Sequence, residues 1–244
     1  MKKILFCLFS LALVFQGCEK DTSTEDMSRI TNYVTFGFTD ANDKDQFGND
    51  MVIIEKGTAY DITQNYTAFE GETDKSGETE ITGSIDTDAS GYYPINYSAV
   101  NADGYSASST KSIIVSDPSI ATDISGDYSA TVYRTPTGNT YNEGFDASIS
   151  KVTDGVFYVD RMLGSYYYDG FGYKDFGSYF VHGFVALKAD NTITSGSSAS
   201  YSPGWRDTLS GFKDGVYDPA TGIVTFTSLY AGGREFHVTF TPKE

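Results

Sequence analysis

Gly155 to Phe184 reads GVFYVDRMLGSYYYDGFGYKDFGSYFVHGF and carries 11 of the chain's 37 phenylalanine, tyrosine and tryptophan residues in 30 of 244 positions. Its two ends read as strands. Val156–Val159 is a short apolar run that follows Asp154-Gly155, a strong hairpin signal. Phe180–Leu187 is a second such run. The middle, with Tyr166, Tyr167 and Tyr168 bracketed by Gly164 and Gly170, reads as a loop or hairpin tip. Its rings either close the core of a β domain or form a surface on which a ligand stacks. Three consecutive tyrosines cannot all face one core, because alternation sends at least one outward.

Period-two patterning continues on both sides of this stretch. Tyr128, Ala130 and Val132 alternate with Ser129, Thr131 and Tyr133, and Phe145, Ala147 and Ile149 alternate with Asp146, Ser148 and Ser150. At the C-terminal end, Gly222–Leu229 and Glu235–Thr241 flank Ala231-Gly232-Gly233 as a hairpin whose face Phe236, Val238 and Phe240 must be buried. Residues 122–244 therefore form an antiparallel meander, closed as a β-barrel or folded as a tightly curved β-sandwich, because long open edges invite aggregation.

Residues 32–116 carry a second set of short strands: Tyr33–Phe38, Met51–Ile54, Ile81–Ile85, Tyr93–Ala99 and Ile113–Val115. No helical period appears, so the chain is all-β, with an N-terminal sandwich ahead of the C-terminal barrel or sandwich. Asp88 to Tyr93 has the residue order of a tyrosine corner. Pro94 removes a backbone donor, which predicts an edge strand or a bulge there. Asp40 to Asp45 (DANDKD) breaks the ligand order of a calcium loop and reads as a solvated turn. Ser116-Asp117-Pro118-Ser119 marks the boundary between the two halves.

The N-terminus reads as an address. Lys2 and Lys3 precede ILFCLFSLALVF, twelve residues without charge, too short for a mature membrane span. Residues 1–17 are expected to be a signal peptide and 18–31 a polar tether. Phe15-Gln16-Gly17-Cys18 resembles the lipobox of bacterial lipoproteins, in which the cysteine is acylated, although Phe15 and Gln16 depart from the usual Leu and Ala or Ser. The alternative is an ordinary secretory leader with a chance cysteine. Glu19-Lys20-Asp21 resembles the short signal by which Bacteroidetes lipoproteins reach the outer face of the outer membrane. The resemblance implies a lipid at Cys18 as the sole membrane contact. Cys7 lies in the leader, so the folded part has neither a disulfide nor a thiolate metal site.

The formal charge is −16, and loss of residues 1–17 removes two lysines and no acid, giving −18. Such a surface repels phosphate backbones, and nucleic-acid partners are excluded as a class. His182 and His237 are the only histidines, and no HExxH, GxSxG or phosphate-cradling glycine loop is present. The expectation is a protein that is not an enzyme and has no cofactor and no metal.

Two further resemblances bear on fold and function. Gly83–Val115, through Asp86, Thr87, Gly91, Tyr93, Ile95, Tyr97, Ala99 and Gly104, resembles the bacterial Ig-like repeats of cell-surface proteins. Asp154–Asp160, Gly164, Tyr166-Tyr167, Tyr217–Gly222, Tyr230–Gly233 and Phe236–Phe240 resemble the C-terminal domain of Bacteroidetes surface lipoproteins of unassigned function. Such lipoproteins are encoded beside starch-utilisation-type outer-membrane transporters. That resemblance implies a glycan ligand and outer-membrane uptake proteins as partners. The ligand-binding candidates are Tyr166, Tyr167, Tyr168, Tyr173, Trp205, Arg206 and Asp207, since aromatic faces fit sugar C–H faces and polar neighbours take the hydroxyls. Trp205, in Tyr201–Asp207, is expected to meet the tyrosine loop at one end of the barrel, as ligand platform or as plug. The other reading of the whole chain is a spacer or adhesin with a protein partner.

Overall fold

The computed structural model describes residues 31–244, and the expected leader, Cys18 and most of the tether lie outside the described residues. Residues Tyr33–Glu244 form one compact unit. Its first half contains β1 (Val34–Phe38), β2 (Asp43–Lys44), β3 (Asp50–Glu55), β4 (Tyr66–Glu70), β5 (Thr73–Asp74), β6 (Glu80–Thr82), β7 (Gly91–Val100) and β8 (Ser106–Ser116). The strands make two sheets, β1-β4-β5 and β2-β3-β8-β7-β6, with β3 parallel to β8 and the other pairs antiparallel. Ile95, Tyr97 and Ile113 are buried between them and pack against Phe36, Phe38, Val52 and Ile81. This is the expected sandwich. Its tyrosine corner is real: the Tyr93 hydroxyl donates to Ala89 O at 2.8 Å.

One expectation for this half is refined and one is corrected. β7 is an inner strand paired to β8 without a register shift, so Pro94 makes no bulge. It is tolerated because β6 pairs only with Asn96–Ser98, leaving β7 open on that side at Pro94. Asp40–Asp45 is not a solvated turn. Asp45 is buried, and its carboxylate accepts from Phe47 N, Asn49 N, Asn49 Nδ2, the Tyr92 hydroxyl and Ser112 Oγ. Asp40 pairs with the fully buried Lys111 and accepts from the Tyr60 hydroxyl at 2.6 Å.

The second half contains β9 (Gly126–Thr135), β10 (Thr140–Thr153), β11 (Val156–Val159), β12 (His182–Leu187), β13 (Thr192–Thr194), β14 (Ser200–Tyr201), β15 (Gly211–Tyr217), β16 (Val224–Tyr230) and β17 (Arg234–Pro242). The order β11-β10-β9-β17-β16-β15-β13-β12 closes through β11–β12 pairing, so eight antiparallel strands form a barrel, and β14 hangs from β12. Closure removes the free edges that an open meander would expose. Inward positions are those that alternation selects: Tyr128, Ala130 and Val132, and Phe236, Val238 and Phe240, are all buried. β15 escapes the pattern, because Gly211, Asp214 at φ +56 and Gly215 interrupt its alternation and its register shifts between Lys213 and Val216.

The halves meet through a packed junction. Tyr92 and Ile114 of the sandwich join Val156, Phe184 and Ala199 of the barrel half in one buried cluster. The polar segment at the boundary is itself buried at Ser116 and Asp117, where Asp117 N donates to Asp154 O at 2.9 Å.

Candidate functional site

The tyrosine run closes one end of the barrel, and it is not a hairpin tip. Tyr166–Gly170 is a single turn of π-helix. Its wide turn is held by i→i+5 bonds from Gly170 N to Ser165 O and from Phe171 N to Tyr166 O, at 3.2 Å each. Ser165 begins it in the left-handed region at φ +61, and its hydroxyl donates to Asp169 Oδ2 at 2.6 Å. Tyr173–Asp175 follows as a short 3-10 turn. A helical turn sends successive side chains in three directions, so the three tyrosines part company in a way that strand alternation does not anticipate.

Tyr166 points into the barrel and is fully buried, which removes it from any surface. Its hydroxyl accepts from Asn139 N at 2.8 Å, its ring packs edge-on against Phe236, and the Arg134 guanidinium lies 5.2 Å from its centroid. Tyr167 turns to the side. Its ring meets Trp205 edge-on at 5.2 Å and stacks on Tyr173 at 5.9 Å, and its hydroxyl accepts from Arg134 Nη1 at 3.1 Å. Tyr168 goes the other way, to Arg161 and Phe180.

Trp205 therefore does lie beside the tyrosine segment, across about 40 residues of chain. It is half-buried and also packs against Tyr179 at 5.2 Å and Tyr230 at 5.7 Å. A tight turn presents it: Ser202 N donates to Asp207 O and Arg206 N to Ser202 O, both at 2.7 Å, with Arg206 at φ +54. Arg206 and Asp207 are exposed at the rim. Burial, and next the Asp207 carboxylate, push the Tyr230 hydroxyl up to about 12, so it stays protonated and available as a donor. The exposed ring of Phe171 extends the band outward from Tyr167 and Tyr173, and Phe176 is exposed after the 3-10 turn.

Sequence reasoning missed Arg134, Arg161, Tyr179 and Tyr230. The arginines had one available signal: the chain has only five, and two of them stack on the tyrosines of the run. Arg161 lies between two rings, 4.7 Å from the Tyr168 centroid and 4.5 Å from that of Phe180. The two histidines are structural. His237 stacks on Tyr133 at 4.3 Å and is hydrogen-bonded to Thr135 Oγ1 and Thr227 Oγ1. His182 is buried at the junction of the two halves and hydrogen-bonded to the Tyr158 hydroxyl, and burial, then the nearby Arg161 charge, push it down to about 4.

An Ig-like sandwich packed against an eight-stranded barrel with an aromatic end defines a two-part all-β protein. Residues 117–242, more than half of the chain, match the family model described as "-like, C-terminal domain", and the chain belongs to that family. Residues 46–115 match the bacterial surface protein Ig-like domain. Among solved structures, a lipoprotein from Bacteroides thetaiotaomicron is 29% identical over 86% of this chain and 100% of that one, with a TM-score of 0.43. A Bacteroides ovatus protein of unknown function is 12% identical over 86% of this chain and 94% of that one, with a TM-score of 0.23. No curated protein matches the chain. Neither matching family is an enzyme family.

Proposed function

We propose that this surface-associated protein is a non-catalytic glycan-binding accessory, held at the outer face of the outer membrane by a lipid on Cys18. It presents captured glycan to outer-membrane uptake proteins. The observation that carries the reading is the band of rings across the barrel end: Phe171, Tyr173, Tyr179 and Trp205, bordered by Arg206, Asp207 and Lys174. Ring faces beside charged hydrogen-bonding groups are the surface that a sugar chain needs. The sandwich and barrel share a buried junction, and a packed two-part body suits display away from a membrane. Neither histidine offers general acid–base chemistry in the barrel end, since His182 lies at the junction and His237 in the barrel wall.

The full chain, in detergent, is tested against a polysaccharide panel by affinity gels and calorimetry. Retardation by at least one polysaccharide is expected, and no binding across neutral and acidic polymers ends the reading. Release of the Cys18→Ala protein from membranes tests the anchor, and persistence there refutes it. The spacer or adhesin reading draws on one observation of its own: Tyr166, Tyr167 and Trp205 spend much of their ring surface on the barrel core. That reading is left standing if no glycan binds.

A further inference from the structure

A further sugar contact can be located at the barrel end, next to the aromatic band and outside it. Beside Tyr168, on the side of the π-turn away from Trp205, lies a cleft of about 320 Å³ lined by Gly144, Phe145, Asp146, Arg161, Tyr168 and Asp169. That volume is at the lower end of the roughly 300–1,000 Å³ typical of small-molecule sites. The cleft arises from a defect in the barrel wall. The pairing of β10 with β9 shifts register between Tyr141 and Phe145, and Gly144 within the shift adopts φ +79. A Cβ there would lie 2.2 Å from Ser129 Oγ, so the bulge is built for glycine. It leaves Phe145 and Asp146 at the cleft wall, opposite the π-turn.

The lining is chemically mixed in a specific way. Arg161 is fixed by its two rings, and its Nη1 donates to Asp160 O at 3.0 Å. Its Nε is buried without a partner among the described residues. That atom is closed to a ligand, so the donors that can meet a hydroxyl in the cleft are the Nη groups of a guanidinium held in place by two rings. Asp146 has an almost fully exposed side chain, and Asp169 faces it from the π-turn. Together they offer acceptors for hydroxyls, with Phe145 and Tyr168 supplying apolar surface. Charges balance: Arg161, Lys174 and Lys243 stand against Asp160, Asp169 and Asp146. With a strongly acidic chain behind it, a balanced cleft disfavours anionic ligands.

We infer that this cleft holds one neutral hexopyranose unit of the bound glycan, while the aromatic band takes neighbouring units. Its ring lies along Tyr168 and Phe145, and its hydroxyls pair with Arg161, Asp146 and Asp169. The assignment rests on the glycan reading above. The packing of Trp205 on Tyr167 and Tyr230 also holds the π-turn in place.

Calorimetry on the full chain in detergent, with the neutral and acidic polysaccharide panel, tests it. Wild type is expected to bind a neutral polymer, with affinity lowered at least tenfold by Asp146→Ala and by Arg161→Lys, and less than threefold by Trp205→Phe. Asp146 is exposed, so its variant folds irrespective of the outcome, and circular dichroism and melting control for Arg161→Lys. Loss of affinity in Trp205→Phe with unchanged binding by Asp146→Ala overturns the cleft and leaves glycan binding intact. Binding of acidic polymers alone overturns the neutral class. No binding by wild type overturns both the cleft and the reading beneath it.

Discussion

Tyr92 of the sandwich and Phe184 of the barrel lie face to face, their centroids 4.3 Å apart and their planes within 5°. Phe47 meets both edge-on, at 5.6 Å and 5.2 Å. The Tyr92 hydroxyl reaches the Asp45 carboxylate and Ser112, so the stack is anchored at one end by a buried polar group. Burial, then the Asp45 charge, drives the Tyr92 hydroxyl far above its usual range and keeps it a donor. The stack couples two halves that a polar segment joins in sequence.

Phe184→Ala removes a fully buried ring from this junction and should cost about 3–5 kcal/mol. Calorimetry of the wild type should show one transition. In the variant the transition should fall in temperature and separate into two, because each half keeps its own core. An unchanged melting temperature would show that the stack does not bear on stability.

The Asp40–Lys111 pair gives a second test. Lys111 is fully buried under the rings of Phe38 and Tyr60, and its ammonium also bonds Asp40. Burial alone would raise the Asp40 carboxyl, but the Lys111 and Tyr60 hydrogen bonds outweigh it and hold the group below its usual value. Asp40→Ala leaves a buried charge uncompensated and should cost about 3–5 kcal/mol. The double variant Asp40→Ala, Lys111→Met should recover much of that in urea unfolding. If both variants lose the same amount, the pair is not what the site depends on.

His182 makes stability depend on pH. Folding lowers it from 6.5 to about 4, so between those values the unfolded chain binds a proton that the folded chain refuses. Stability from this group is complete above about pH 6.5 and falls as pH drops towards 4. The loss by pH 4.5 is about 2–3 kcal/mol. His182→Gln should flatten that part of the unfolding free energy between pH 7 and 4.5, and parallel curves for variant and wild type would exclude the effect.

Trp205 packs against Tyr167, Tyr179 and Tyr230, and truncation there opens the barrel end. Trp205→Ala should cost about 2–4 kcal/mol, close to a core aromatic, while Trp205→Phe keeps most of the packing. A melting temperature unchanged by Trp205→Ala would mean that its ring is not part of the plug.

Alternation in the chain was enough to place most of the strands, because a half-buried strand must alternate to separate core from water. Phe236, Val238 and Phe240 are legible in this way, as is the Asp154-Gly155 hairpin, where Gly155 takes φ +77. β15 is not legible, because its glycines and a left-handed aspartate disturb the alternation that betrays a strand. Asp45 was not legible either, since its hydrogen-bond donors Tyr92 and Ser112 lie 47 and 67 residues away.

The aromatic segment divides the same way. Its composition, the glycines around it and its position between two strands are properties of local sequence, and they mark it as the end of a β domain. The direction of each ring is not local. The π-turn depends on Ser165 in a left-handed conformation and on a barrel already closed beneath Tyr166, and only then do Tyr167 and Tyr168 part towards Trp205 and Arg161. Residues 145, 161 and 168 become one cleft only because a glycine bulge and a helical turn, on elements distant in sequence, face each other across the barrel rim. Hydrophobic period is written one residue after another, whereas a binding surface is made of groups that the chain brings together from afar.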